Sequence, residues 1–184
     1  LGHVKNFCEA DRAGLRFIVP LRESTGFFDR FLTDVGHEAL RPVRYVSRRE
    51  QHLPAEQRTR YRGAMRDFIV TDPETDTERR VRVAYIWSSE EARSVAEARE
   101  RALTKAETDL TRVHRGLGRR HYKSPEQVQA RVNRILGPNL HGLLTVTISE
   151  HDGKPTLAWQ RDQTGIHAAT QHDGIYALAT NLPG

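Results

Sequence analysis

The 184-residue sequence predicts an α+β fold, and three observations carry that expectation. Two stretches alternate apolar and polar residues on either side of a turn signal, as hairpins do. Other stretches repeat apolar residues every three or four positions, as helices with one buried face do. Their order along the chain is helix, strand, helix, hairpin, two helices, hairpin, strand, with no strand–helix alternation of the doubly wound kind. The length fits one domain, or one domain with an appendage.

Each element has a local reason. Residues 3–13 suit a short helix stopped by Gly14, a left-handed cap, after which Leu15 to Val19 reads as a short buried strand closed by Pro20. Residues 24–34 space Phe27, Phe28 and Phe31 for a core-packing helix behind Ser24 or Thr25 as cap. Residues 41–63 are rich in Arg and Gln with little periodicity, which predicts a connector with a short strand near 43–46. Arg66 to Thr71, a turn over Asp72 to Asp76, and Arg80 to Trp87 form the first hairpin; Val81, Val83, Tyr85 and Trp87 share its buried face.

Ser88 or Ser89 caps a long charged helix with Glu90 and Glu91 in the first turn, where the helix dipole favours acids, and the helix stops at Gly116 or Gly118. Ser124-Pro125-Glu126 opens another with Val128, Val132, Ile135 and Leu136 inward, ended by Gly137-Pro138. Leu144, Val146 and Ile148, the turn His151-Asp152-Gly153-Lys154, and Leu157 with Trp159 make the second hairpin. Gly174 to Thr180 is the last strand. Trp87 and Trp159 are expected in the core.

Composition narrows the function classes. Apolar residues are 37% of the chain, enough for a core under a polar skin, and no uncharged apolar run of about 18 residues is present to span a membrane. The first residues, LGHVKNFCEADR, lack the basic patch and apolar stretch of a secretory signal. Cys8 stands alone, so an internal disulfide or a zinc ribbon is excluded, a reducing cytoplasm fits, and the thiol reads as an apolar filler. The net charge is +5, and 25 of the 29 basic residues are Arg, which grips phosphate with two donors at once.

Self-sufficient catalytic signatures are absent: no Gly-rich phosphate loop, no Gly-x-Ser-x-Gly, no His-Glu-x-x-His, no Cys pair at ligand spacing. The nine His are scattered, and neither His114 with His121 nor His167 with His172 has the spacing of four that puts two ligands on one helical face. Charge does segregate: residues 90–109 carry a net −2, whereas 112–134 carry +6 through Arg112, Arg115, Arg119, Arg120, Lys123, Arg131 and Arg134 against Glu126 alone. The acidic stretch reads as a salt-bridged solvated face. The basic stretch reads either as a phosphate-contacting ridge or as a solvated helix end in an Arg-rich protein; contact with about five phosphates predicts a log–log salt slope of roughly −4.5 on duplex DNA.

Three stretches together resemble the DDE-type insertion-sequence transposases. LGHVKNFCEADRAGLRFIVPLRE is similar to the segment after that family's second catalytic Asp, with Gly14, Phe17, Ile18 and Arg22 on its Gly-x-x-Phe-Ile-x-x-x-Arg pattern. Asp173 to Asn181 resembles the strand before the helix that carries the catalytic Glu, and WSSEEARSVAEARERAL resembles the charged helix of a long insertion between the two. The resemblance implies a partial ribonuclease-H-like core from residues 1–23 and 173–184, interrupted by a β-rich insertion over 24–172. It places the second Asp before Leu1 and the Glu beyond Gly184, so no catalytic residue and no metal ligand falls in this chain; Asp11 and Asp173 are not promoted to replace them. Magnesium is implied for the full-length enzyme only, which cleaves and joins phosphodiesters during DNA transposition. The partner implied is DNA at the transposon ends, with a homodimer in the full-length protein and a bacterial cytoplasmic, nucleoid-associated location.

Two site residues come from the same source. Some relatives carry, at the position of Pro20, an Arg that touches the DNA end, and Arg22 is the nearest substitute here. In hairpin-forming members an aromatic at the start of the final strand holds a base flipped from the duplex, and Tyr176 falls there; stacking worth about 1–3 kcal/mol offsets part of the unstacking cost. The alternative for Tyr176 is an ordinary strand aromatic packing inward. Two other functions stay open on the sequence: a stand-alone basic DNA-binding module, and an interaction protein that oligomerises through Ala92, Val95, Leu103, Ala106, Leu110 and Val113 of the long helix.

Overall fold

The computed structural model describes residues 4–21 and 26–182. It is a mixed α+β chain in two compact units, one comprising residues up to Ser94 together with those from Asp173 onward, the other running from Val95 to His172. The division differs from the one the resemblance implies. Residues 26–94, expected in an insertion, share a unit with both proposed core segments, because the first hairpin hydrogen-bonds directly to the last strand.

In the first unit the chain runs through helix α1 (Val4–Arg12), strand β1 (Ile18–Pro20), helix α2 (Arg30–Asp34), strand β2 (Arg41–Val43) and the hairpin β3 (Tyr61–Thr71) and β4 (Glu78–Ser88). Strand β7 (Ile175–Thr180) returns from the far end of the chain, and the five strands form an antiparallel sheet in the order β1-β7-β4-β3-β2. Alternation decides its faces. Val81, Val83 and Tyr85 of β4 and Ile175, Ala177 and Ala179 of β7 are buried together with Phe68, and Phe7, Phe27, Phe31 and Leu40 cover them. Each fully buried side chain of this size contributes about 1.5–3 kcal/mol. Tyr85 brings a polar atom into that core and satisfies it: its hydroxyl donates to the Phe27 carbonyl at 2.7 Å.

Polar clamps join the elements. Gly14, at φ 68°, ends α1, and the Leu15 N–H closes back on the Ala10 carbonyl at 2.9 Å. Asn181 then ties α1, the loop to β1 and β7 together, accepting from the Phe17 N–H at 3.1 Å and donating to the Leu15 carbonyl at 2.8 Å. At the hairpin turn the fully buried carboxylate of Asp72 accepts from the Glu74 N–H, from Arg12 of α1 and from Arg79 of β4. Burial alone would raise that carboxyl's pKa; the Glu74 N–H and the Arg79 guanidinium outweigh it and hold the group below its ordinary range.

The second unit holds most of helix α3 (Ser89–Arg115), then helix α4 (Pro125–Leu140), the hairpin β5 (Leu144–His151) and β6 (Lys154–Arg161), and helix α5 (Gln163–Thr170). Leu103, Ala106, Leu110 and Val113 of α3 interlock with Val128, Val132 and Leu136 of α4, and Leu144 and Leu157 of the hairpin close the cluster. Asp152 and Gly153, both at positive φ, make the two-residue turn that suits the twist of paired strands. Arg161 fastens the hairpin to α3, its guanidinium 2.9 Å from Glu107 Oε1 and 2.8 Å from Glu100 Oε1.

Several expectations are corrected. The first strand is not buried: of the stretch Leu15 to Val19, Leu15 precedes the strand and is 60% exposed, and β1 is a short edge strand with Ile18 59% exposed. The Phe-rich stretch packs on the core as expected, yet only Arg30–Asp34 of it is α-helical, and its expected caps Ser24 and Thr25 lie outside the described residues. The connector strand is Arg41–Val43 rather than 43–46. Gly137, at φ 52° and ψ −169°, breaks α4, after which one more turn follows to Leu140. Of the α3 face offered for oligomerisation, Leu103, Ala106, Leu110 and Val113 are buried in the second unit's own core, whereas Val95 is 37% exposed. No helix among the described residues is long and apolar enough to cross a membrane.

Candidate nucleic-acid interface

The basic segment is built by the end of α3, a tight loop and the start of α4. Gly116 follows α3 because a Cβ there would lie 2.9 Å from the Tyr122 ring, so its absence lets that ring pack back against the helix end. Gly118, at φ 75°, donates to the Tyr122 carbonyl at 2.8 Å, and the Tyr122 N–H closes on the Arg119 carbonyl at 2.9 Å. With Tyr122 packed against the core cluster, Arg119, Arg120 and Lys123 are turned to solvent. Pro125 then starts α4, whose inward Val128 and Val132 leave Gln127, Arg131 and Arg134 at spacings of four and three on the opposite face. Arg120, His121, Tyr122, Gln127, Arg131 and Arg134 line one shallow concavity of about 410 Å³.

The electrostatics of this segment are one-sided. Arg112 is paired with Asp109 at 2.9 Å, one turn back on α3. Among the described residues, Arg115, Arg119, Arg120, Lys123, Arg131 and Arg134 have no carboxylate partner, although all six are exposed. The acid within the segment, Glu126, is held by the Ser124 hydroxyl, which lowers its carboxyl below the ordinary range at the start of α4. Six unneutralised cations on a loop and helix fixed from beneath can meet a run of phosphates with little ordering of backbone.

Tyr176 lies in the other unit. It sits on β7 opposite Ile86, on the sheet face away from Tyr85, Ala177 and the rest of the core, and is 38% exposed. The inward-packing alternative is therefore corrected: the core positions of β7 are its neighbours Ile175 and Ala177. Burial raises its phenol pKa, as do nearby Tyr61 and Tyr45, so the ring is neutral near pH 7. Arg22, the other residue carried over, lies outside the described residues. Trp87 and Trp159 are partly buried against the two cores, as expected of core-packing indoles.

The two carboxylates considered and set aside have plain surroundings. Asp11 pairs with Arg79 at 3.0 Å and accepts from Asn181 at 3.3 Å; Asp173 precedes Gly174, which at φ 75° opens β7. Among the described residues no group of three His, Cys, Asp or Glu side chains could hold a metal ion. Sequence reasoning missed a second basic region. Arg44, Arg58, Arg60 and Arg62 surround a cavity with Tyr45, Tyr61 and Trp87 in the first unit, and the one signal for it was the Arg-rich, aromatic-bearing composition of residues 41–63. No family model, no curated protein and no solved structure matches this chain.

Proposed function

We propose that this chain is the DNA-contacting part of a DDE-type insertion-sequence transposase, combining part of a ribonuclease-H-like core with an insertion, and that alone it binds DNA without cutting it. The observation that carries the reading is the set of six exposed cations between Arg115 and Arg134 that have no acidic partner among the described residues, a surface suited to phosphates at transposon ends. The outward placement of Tyr176 supports its service as a platform for an unstacked base, because a ring on the open face of a sheet keeps one side for a partner. The edge strand β1, with Ile18 uncovered, supports pairing with further strands of a larger core.

Neither Asp11 nor Asp72 is open to magnesium. Asp11 is committed to Arg79 and Asn181, and Asp72, the fully buried acid of the first unit, is committed to two guanidiniums. On this reading cleavage and strand transfer belong to carboxylates that the resemblance places outside residues 1–184, while this chain positions DNA. The test is a nicking assay on supercoiled DNA with magnesium. The expected result is binding without cleavage; nicking that is abolished by replacing one internal carboxylate overturns the proposal. A flanking reading frame with an Asp-bearing strand upstream and a Tyr-x-x-Arg-x-x-x-Glu helix downstream is the second expected finding.

A further inference from the structure

The first unit contains a cavity of about 680 Å³ at the β2 end of its sheet, within the size range of small-ligand sites. Its walls are apolar and aromatic: Val43, Tyr45, Val46, Tyr61 and Trp87. Tyr45 and Tyr61 stand edge to face with ring centroids 5.3 Å apart, and Tyr45 remains 57% exposed. Aromatic rings left open around a hollow, rather than closed over a core, suit a flat apolar guest.

Four guanidiniums set the charge that guest must carry. Arg58 donates to the carbonyls of Leu53 and Gln51 at 2.8 and 3.2 Å, and Arg62 to those of Leu40 and His37 at 3.0 and 3.2 Å. These bonds fix position and cancel no charge. The side chains of Arg44 and Arg60 have no hydrogen bond or ion pair among the described residues. Glu50 and Glu90 do not line the cavity, but both face the hydroxyl of Thr59 at its wall and their charge reaches Tyr61, so four guanidiniums stand against two carboxylates and an excess of positive charge remains. The demand is for a planar apolar ring joined to phosphates.

We propose that this cavity binds an unpaired nucleobase of a single strand, with the ring against Tyr45 and Tyr61 and the flanking phosphates held by Arg44, Arg58 and Arg60. A base inside a duplex is covered on both faces and cannot enter, so the site selects single-stranded or locally opened nucleic acid. The inference rests on, and extends, the base-binding part of the proposed function, since Tyr45 and Tyr61 neighbour Tyr176, and it is separable by experiment from the basic loop and helix of the other unit.

The chain holds two Trp residues, so Trp159→Phe leaves Trp87, at the cavity wall, as sole reporter. Titration with a twelve-residue oligothymidylate should quench Trp87 saturably, whereas the same strand annealed into a duplex should not. Tyr45→Ala should weaken the strand's binding roughly 5- to 100-fold and Tyr45→Phe should retain it, the range expected for one lost base stack. Tyr45 is largely exposed, so Tyr45→Phe leaves its packing intact and Tyr45→Ala removes only the edge contact with Tyr61, and both variants should fold. Arg131→Gln with Arg134→Gln should lower duplex binding and leave the Trp87 response intact, which separates this site from the basic helix. Photocrosslinking of a 5-bromouracil strand to unmodified protein should label residues 42–62 and gives a readout independent of Trp159→Phe. Unchanged affinity in Tyr45→Ala, crosslinks elsewhere, or thymidine monophosphate binding as tightly as the strand each overturns the proposal, the last by making this a free-nucleotide site.

Discussion

Replacing Arg131 and Arg134 together by Gln is the sharpest test of the DNA reading. Among the described residues six cations lack acidic partners, and each phosphate contact contributes about 0.9 to the log–log salt slope on duplex DNA, so full engagement gives roughly −5.4 and the double variant roughly −3.6. Between 50 and 200 mM salt, that is a loss of affinity of about three decades in the parent and about two in the variant. Both side chains project from the exposed face of α4, and Gln keeps helix propensity close to that of Arg, so the fold is undisturbed. Fluorescence anisotropy on a labelled duplex across that range measures both slopes. Arg112→Gln is an internal control, because Arg112 is already paired with Asp109 and should move the slope least. Equal slopes for parent and double variant would refute the assignment of the ridge.

Three further outcomes are expected. Tyr85→Phe leaves the buried Phe27 carbonyl unpaired and should cost about 1–3 kcal/mol in urea denaturation. Burial pushes the Tyr85 phenol up to about 12, above an unfolded value near 10, so its contribution is complete below about pH 10 and falls as pH rises toward 12; the Phe variant should lack that part of the alkaline loss. Asp72 behaves with the opposite sign. Its folded carboxyl is held below the unfolded value near 4, so its stabilisation is present above that pH and lost as pH falls through the folded value, and Asp72→Asn should flatten the acid limb of a pH–stability curve. Gly174→Ala forces a Cβ to within 2.5 Å of the Ser88 carbonyl at a φ of 75°, and thermal melting should show a loss of more than about 1 kcal/mol.

The sequence made visible whatever local periodicity or turn chemistry dictates. Val81, Val83 and Tyr85 alternate strictly, Asp152-Gly153 is an unambiguous turn, and Leu103, Ala106, Leu110 and Val113 repeat at helical spacing, so those elements lie where expected. Helix α5 escaped notice because Gly165 interrupts eight residues with β-branched neighbours; its signal was Asp162, whose carboxylate accepts from the Gly165 N–H at 3.0 Å. The exposure of Tyr176 depended on which face of β7 meets Tyr85, a long-range pairing that no local pattern encodes. The basic ridge was legible from charge alone, whereas its division into one paired and six unpaired cations required coordinates. The aromatic cavity needed Trp87 beside a connector without periodicity.

The strand order β1-β7-β4-β3-β2 also constrains how the chain is made. The strand that covers the free flank of β4, Ile175–Thr180, is made only after the Val95–His172 unit, so the β3–β4 ribbon waits with one flank unsatisfied while that unit can already condense. That waiting interval is when β4 can capture the wrong neighbour, and chaperone demand during synthesis should be concentrated there.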